Sequence, residues 1–359
     1  MPDRPVTPWN SIAEGIVEDG PRRLKYVDML DSPCASCRTS PCCTYLPLHT
    51  FRVTTLMGFD HAIYLLNFDR IELGLTPTGD WSVYYRYPCR FLDRNDFTCS
   101  IHDRPEQPSI CVHFNPYQCW YRRVLPRAVS DEFLRLDRHR LEHLIAWFTF
   151  DEHGTIVDGP DWEAMVQGIA DLPLAPPEPA TEPPSDDPAR RAWHALATTA
   201  PTVAVTPRRL TMAQLRDPCA GCAAYCCQTL TFPYTMPATA AALDHLRFCL
   251  GFLGIEVGIS DEGWSLIVKA TCRHLQENRC GVYGRPERPR LCAYYDAHKC
   301  TYRVEFGEAR PAGYIRLTLD EFNSLADSFR FDEHGNVVEA QPADDIRAAI
   351  EAQWRAASE

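Results

Sequence analysis

The chain of 359 residues has no apolar run approaching the roughly 18 to 20 residues that cross a bilayer, so no membrane-spanning helix is expected. Its opening residues, Met1-Pro2-Asp3-Arg4-Pro5, lack the apolar core of a secretory signal, and the expectation is a cytoplasmic protein. Positive charge is also short. There are 36 Lys and Arg against 48 Asp and Glu, leaving a formal net charge of −12. A protein that coats nucleic acid or an anionic membrane needs the opposite field, so neither is expected as a partner. Three signatures of common chemistry are missing as well: the dinucleotide-binding Gly-x-Gly-x-x-Gly, the phosphate-binding loop ending in Gly-Lys-[Ser/Thr], and the Gly-x-Ser-x-Gly nucleophile elbow. Nothing in the sequence announces a site for a methyl donor.

What the chain has in quantity is cysteine, 17 residues, and proline, 30 residues. In a reducing compartment so many thiols read as ligands rather than disulfides. Sixteen fall into two matched sets of eight, and Cys249 is left over. The first set is Cys34, Cys37, Cys42, Cys43, Cys89, Cys99, Cys111 and Cys119. The second is Cys219, Cys222, Cys226, Cys227, Cys272, Cys280, Cys292 and Cys300. Cys99, Cys111 and Cys119 each recur 181 positions later, and a ladder this regular, written twice, is first of all a metal-site pattern.

The repeat extends beyond cysteine. Pro21-Arg22-Arg23-Leu24 opens the first copy and Pro207-Arg208-Arg209-Leu210 the second. A helix is expected in each. Phe59, Ala62 and Leu66 form its apolar face in the first copy, and Leu243, Leu246, Leu250 and Leu253 in the second, with Pro237 in its first turn and Gly254 at its end. Trp81-Ser-Val-Tyr-Tyr-Arg-Tyr and Trp264-Ser-Leu-Ile-Val-Lys-Ala read as strands delivering Cys89 and Cys272. After the last cysteine, Tyr121-Arg122 and Tyr302-Arg303 are expected to start another strand. A helix follows, with a capping box at Thr318 and Glu321 in the second copy. Each copy closes on Phe-Asp-Glu-His-Gly, at 150–154 and 331–335, a good turn sequence. Between the copies, Leu172 to Pro188 holds seven prolines and several acids, the composition of a linker. Residues 343–357 suggest a short amphipathic helix through Ile346, Ile350 and Trp354.

The expected architecture is therefore α+β: two tandem duplicated cysteine-rich metal-binding domains, 21–159 and 207–340, joined by a Pro-rich linker, 172–188. A thiolate is a soft, charged ligand, and Cys-x-x-Cys lets a tight turn aim two sulfurs at one ion. The adjacent pairs Cys42-Cys43 and Cys226-Cys227 are expected to diverge and feed two sites. Eight cysteines per copy suit two tetrahedral zinc sites, or one [4Fe–4S] cluster with further thiols, and spacing does not choose between them.

Cys-x-x-Cys, Cys-Cys, Cys-Arg-x-Leu, then Cys and Arg-Pro before the seventh Cys together resemble the YkgJ-type cysteine-cluster family, the CxxCxxCC zinc- or iron-chelating domain. The resemblance spans both copies and implies a bound iron–sulfur cluster or zinc, held by the sixteen cysteines named above. A relative of that family is the flagellin lysine N-methylase. The sequence departs from the family in the residues around Cys111 and Cys292, where Val112 and Ala293 stand in place of an Arg. The leading expectation is a metal-binding protein with a redox or protein-modifying role and an unidentified protein or small-molecule partner. The alternatives are a non-catalytic interaction module with structural zinc and a protein lysine N-methyltransferase.

Among other matched residues, Arg104 and Arg285 are candidates to offset thiolate charge, or to be surface residues of a turn, and Arg90 and Arg273, each directly after a cysteine, are candidates to hydrogen-bond sulfur. His61 and His245, in matched Asp-His pairs, read as packed side chains before ligands, and His153 and His334 as turn residues. His102 has Tyr283 as its counterpart. Cys249 reads as a core thiol.

Overall fold

The computed structural model describes residues 37, 40–95, 97–125, 127–174, 219, 221–260, 262–307, 314–326, 328–339, 346, 348–349 and 352. The linker beyond residue 174, the two Pro-Arg-Arg-Leu segments and Cys34 lie outside these residues, as do Ile350 and Trp354. Ile346 is helical and buried. Among the described residues no helix is long and apolar enough to cross a membrane.

The mixed helix and antiparallel-sheet architecture is present. In the first half, β1 (Tyr45–Arg52), β2 (Ile71–Leu75), β3 (Asp80–Arg86), β4 (Val129–Ser130) and β5 (Phe133–Leu136) form one sheet in the order β1-β3-β2-β5-β4. In the second, β6 (Thr229–Tyr234), β7 (Ile255–Ser260), β8 (Gly263–Lys269) and β9 (Tyr314–Leu317) form a sheet in the order β9-β7-β8-β6. Strands that match in sequence take matching places. The expected Trp strands are β3 and β8, and each has two buried faces. Trp81, Val83 and Tyr85 point into the main core, while Tyr84 packs with Val124, Leu125 and Phe133 on the other side. Trp264, Leu266 and Val268 do the same in the second half, with Ile267 against Phe306 and Tyr314. This is the side-chain alternation of a pleated strand.

One long helix lies on each sheet. Helix α1 (Leu56–Leu65) buries Phe59, Ala62 and Leu65, and Thr55 caps it by accepting from the Gly58 N–H at 3.1 Å. Helix α2 (Ala240–Leu250) buries Leu243, Leu246 and Leu250, and Thr239 caps it through the Ala242 N–H at 3.1 Å. Pro237 thus precedes the helix instead of lying in its first turn, because the Thr239 hydroxyl sets the start. The helix also ends at Gly251, earlier than expected; Gly254, at φ +80, supplies the left-handed turn into β7.

The Phe-Asp-Glu-His-Gly turns form and have a use. The Asp151 carboxylate accepts from the N–H groups of His153 and Thr155 at 2.9 and 2.8 Å, and Asp332 does so for His334 and Asn336 at the same distances. The glycine that closes each turn, φ +78 at Gly154 and +77 at Gly335, then offers its carbonyl to the first N–H of the long helix, at Leu56 (2.7 Å) and Ala240 (2.9 Å). Only glycine takes that φ without strain. Glu321 reaches back to the Thr318 N–H at 2.8 Å, as a capping box should, ahead of α3 (Leu319–Ala326).

One expectation fails. The segments at Tyr121 and Tyr302 are helices, α4 (Trp120–Val124) and α5 (Thr301–Gly307), not strands. Aromatic content suggested strand, but the apolar spacing is four. Tyr302 and Phe306 stack with ring centroids 5.7 Å apart, and Tyr121 precedes Leu125 by the same interval. That interval is one helical turn.

The two sheets share one apolar core that runs from Leu46 to Ile346 in sequence. Main-chain bonds cross between the halves. Asp69 N–H donates to the Thr271 carbonyl (2.9 Å), Arg273 N–H to Asn67 (2.7 Å), Arg90 N–H to Gly251 (2.8 Å) and Leu253 N–H to Pro88 (3.3 Å).

Candidate metal centres

Each cysteine set is gathered by the end of a sheet. A single 3-10 turn, Pro41–Cys43, precedes β1, and Ser40 enters it at φ 35. Strand β1 pairs antiparallel with β3, so the turn lies beside the residues that leave β3. The Cys89 N–H donates to the Cys43 carbonyl at 2.7 Å. A tight loop then folds back. Leu92 bridges Cys99, and the Ser100 N–H donates to Phe91 at 2.8 Å. Consecutive turns lead to α6 (Ser109–Val112), which carries Cys111. A second 3-10 turn, Pro116–Gln118, is capped by Asn115 and places Cys119 at the start of α4.

The second half repeats this path. The turn Tyr225–Cys227 is entered through Ala224 at φ 58, and the Cys272 N–H donates to the Cys227 carbonyl at 2.7 Å. Two short strands, β10 (Leu275–Gln276) and β11 (Arg279–Cys280), pair Leu275 with Cys280. Glu277 and Asn278 turn between them with φ of 45 and 64. Helix α7 (Arg290–Tyr294) carries Cys292, and Asp296 caps the turn Ala297–Lys299 before Cys300.

The side chains follow the backbone. Cys42 and Cys43 Sγ lie 3.9 Å apart, where neighbouring cysteines were expected to diverge. Both residues lie in the single 3-10 turn Pro41–Cys43. Two thiolates on one tetrahedral zinc would sit about 3.8 Å apart, given Zn–S bonds of about 2.3 Å. The Cys43 thiol is pushed well up, by its bond to Cys42, by burial, and by the charges of Cys42, Cys89 and Cys111. Burial raises Cys111 too, with Cys89, Cys99 and Cys42 adding to it. Cys119 is raised by burial and by Cys42 and Cys37. In the second half Cys227 bonds to both Cys226 and Cys272, lowering each of those to about 7. Cys292 is pushed up to about 12 by burial, with Cys272, Cys226 and Cys280 contributing and Arg288 opposing. Cys37, Cys42, Cys43, Cys89, Cys99, Cys111 and Cys119 therefore share one electrostatic neighbourhood, and Cys226, Cys227, Cys272, Cys280 and Cys292 another.

Those sulfurs do not close into a finished polyhedron. Among the described residues no three Cys, His, Asp or Glu side chains are arranged to hold one metal ion. All sixteen described cysteines are free thiols. Cys219 and Cys222 line an open polar cavity of about 310 Å³ with Glu277, Asn278 and Arg279 of the β10–β11 hairpin. The donor set is soft throughout and suits a thiophilic metal in kind.

No family model matches the chain, and neither does any curated protein or solved structure.

The remaining candidates separate. Cys249 is buried inside α2 and raised to about 12 by that burial, a core thiol 3.9 Å from His245. His245 accepts or donates at Nδ1 with the Tyr234 hydroxyl at 3.0 Å, and His61 stands edge-on to Phe51 with centroids 5.8 Å apart. Both are packed side chains. His153 and His334 are exposed in their turns. Arg90 and Arg273 do lower the thiols beside them, after burial and backbone bonds, at Cys89 and Cys272. The acids of the matched Asp-His pairs, Asp60 and Asp244, have a role that the sequence pattern did not disclose. The Asp60 carboxylate accepts from the Arg290 and Leu291 N–H groups, and Asp244 from Ser109. The signal was present in their matched positions.

Proposed function

We propose that this chain is a cytoplasmic metal-binding protein that holds zinc or an iron–sulfur cluster through thiolates in each half. The observation that carries the reading is the meeting of Cys42-Cys43 with Cys89, and of Cys226-Cys227 with Cys272, through the same 2.7 Å backbone bond at both ends of a shared core. Forty-odd residues separate these cysteines in sequence, and folding brings them side by side with no disulfide among the described residues. Soft, mutually repelling thiols gathered in one place are costly unless a cation offsets their charge. The motif resemblance to the YkgJ-type family points the same way.

Bound zinc would supply a closed structural centre, and a bound cluster would supply redox chemistry. The residues that would hold either are the cysteines of the two sets, with Arg90 and Arg273 offsetting charge at Cys89 and Cys272. A second reading, a non-catalytic module with structural zinc, draws on the position of both centres at the seam between the halves.

The test is elemental and sulfide analysis of the full chain purified without oxygen. Stoichiometric zinc, or iron with inorganic sulfide and visible colour, is expected, and Cys89→Ser and Cys272→Ser should each lower it by about half. Metal-free protein whose thiols all titrate freely would overturn the reading. Zinc alone would select the structural version.

A further inference from the structure

Helices α6 and α7 are one turn long and begin after Pro108 and Pro289, neither of which offers a side-chain cap. Their first free N–H groups need acceptors from elsewhere. For α6 the acceptor is Asp244 of the second half. Its Oδ2 takes the Ser109 N–H at 2.6 Å and the Ser109 hydroxyl at 2.5 Å, and its Oδ1 is held by Arg247 Nε at 3.0 Å. Arg247 also donates to the Gln107 carbonyl at 3.3 Å, tying down the loop that enters α6. For α7 the acceptor is Asp60 of the first half, whose two oxygens take the N–H groups of Arg290 at 3.0 Å and Leu291 at 3.2 Å. Cys111 and Cys292 are the third residues of these helices, within two residues of the capped groups. A carboxylate placed for its charge would be misplaced here, since Asp244 raises the Cys111 thiol further. Its value is the direction it gives the helix.

We propose that Asp60 and Asp244 are reciprocal positioning residues, each fixing the cysteine helix of the opposite half, so that neither thiolate cluster is complete without the other half of the chain. The metal readout of this claim rests on the reading of the cysteines as ligands; the positioning itself does not.

The experiment is site-resolved alkylation with iodoacetamide of the anaerobically purified full chain, followed by mass spectrometry, with metal content measured on the same samples. Asp60→Ala should speed alkylation of Cys292 about tenfold and leave Cys111 at its wild-type rate. Asp244→Ala should leave Cys292 at its wild-type rate; Cys111 is already exposed, so this variant is read through metal content. Asp60→Asn, which keeps an acceptor oxygen, should restore most of the protection. General loosening of the fold would also open the buried Cys249, so faster alkylation of Cys292 without Cys249 separates positioning from mere destabilisation. Should Asp244→Ala fail to fold, given its burial and its pairing with Arg247, the partly exposed Asp60 still decides the matter. Alkylation of Cys249 speeding in step with Cys292 in Asp60→Ala, or no change at Cys292, would overturn the proposal. If the wild-type protein carries no metal, the ligand reading falls and the alkylation pattern alone decides the positioning.

Discussion

The two halves solve one structural problem with different chemistry. In the first, Glu72 lies on β2 beneath two arginines. Arg135 Nη2 meets its Oε2 at 2.8 Å and Arg86 Nη1 meets the same oxygen at 3.0 Å, while Arg135 also donates to the Tyr45 hydroxyl at 2.9 Å. The corresponding positions in the second half are Glu256, Lys269 and Arg316. Lys269 pairs with Glu256, but the lysine is 35% exposed, and Arg316 stacks over the Phe306 ring at 5.3 Å. The planar, bidentate pair has become a flexible ammonium contact. The thiols differ in parallel. Burial lifts Cys89 to about 11, whereas Cys272 is drawn down to about 7 by its bond to Cys227, with Arg138 and Arg273 beside it. The same backbone path therefore places Cys89 where burial dominates and Cys272 where a neighbouring thiol and two arginines do. Side chains that do not set the strand order were free to diverge.

The largest test of that contrast removes the buried acid. Glu72→Ala would leave Arg135 uncompensated in a site where Glu72 is 3% exposed, and should cost about 3–5 kcal/mol. Glu256→Ala leaves a lysine that can turn to water, and should cost about 1–2 kcal/mol. Urea denaturation of the three proteins reads the difference. Equal losses would mean that the exposure of Lys269 does not decide the energetics.

A smaller effect sharpens the asymmetry at the seam. The Tyr85 hydroxyl donates to the Leu253 carbonyl at 3.0 Å, across the boundary between the halves. Its counterpart in β8 is Val268, which has no group to return the bond. Tyr85→Phe should cost about 1 kcal/mol while leaving a single cooperative transition. Separation of the melt into two steps would show that this one bond, rather than the shared apolar core, couples the halves.

Much of this was legible in the sequence, because local pattern fixes local structure. The Trp strands, the long helices, the closing turns and the matched cysteines all follow from period, capping and turn chemistry. The failures share a cause. Asp60 meets α7 across 230 residues, so no local rule reaches its role. Glu72 reads as a surface acid until the register Gly74↔Arg135 sets an arginine beside it. Tyr121 and Tyr302 carry strand-forming side chains, but tertiary packing on the outer faces of the sheets made helices of them. The Cys-Cys pair was judged by the general divergence of neighbouring side chains, whereas the sulfurs of Cys42 and Cys43 lie 3.9 Å apart.

The smallest expected effect concerns the two packed histidines that follow the capping aspartates. Burial is the main cause lowering both His61 and His245 below their ordinary 6.5, with Asp60 and Asp244 opposing it. His61 carries a further penalty from nearby His49. A histidine depressed in the native state stays neutral there while the unfolded chain takes up a proton. Between the native value and 6.5 the unfolded state therefore binds more protons, and stability rises with pH. Above that window the contribution is constant; below it the loss is complete. His61→Gln and His245→Gln each remove one such group, so each should flatten the rise in unfolding free energy below pH 6.5. An unchanged slope in His61→Gln would show that its ring keeps ordinary access to water, and that the aromatic packing around it does not exclude the proton.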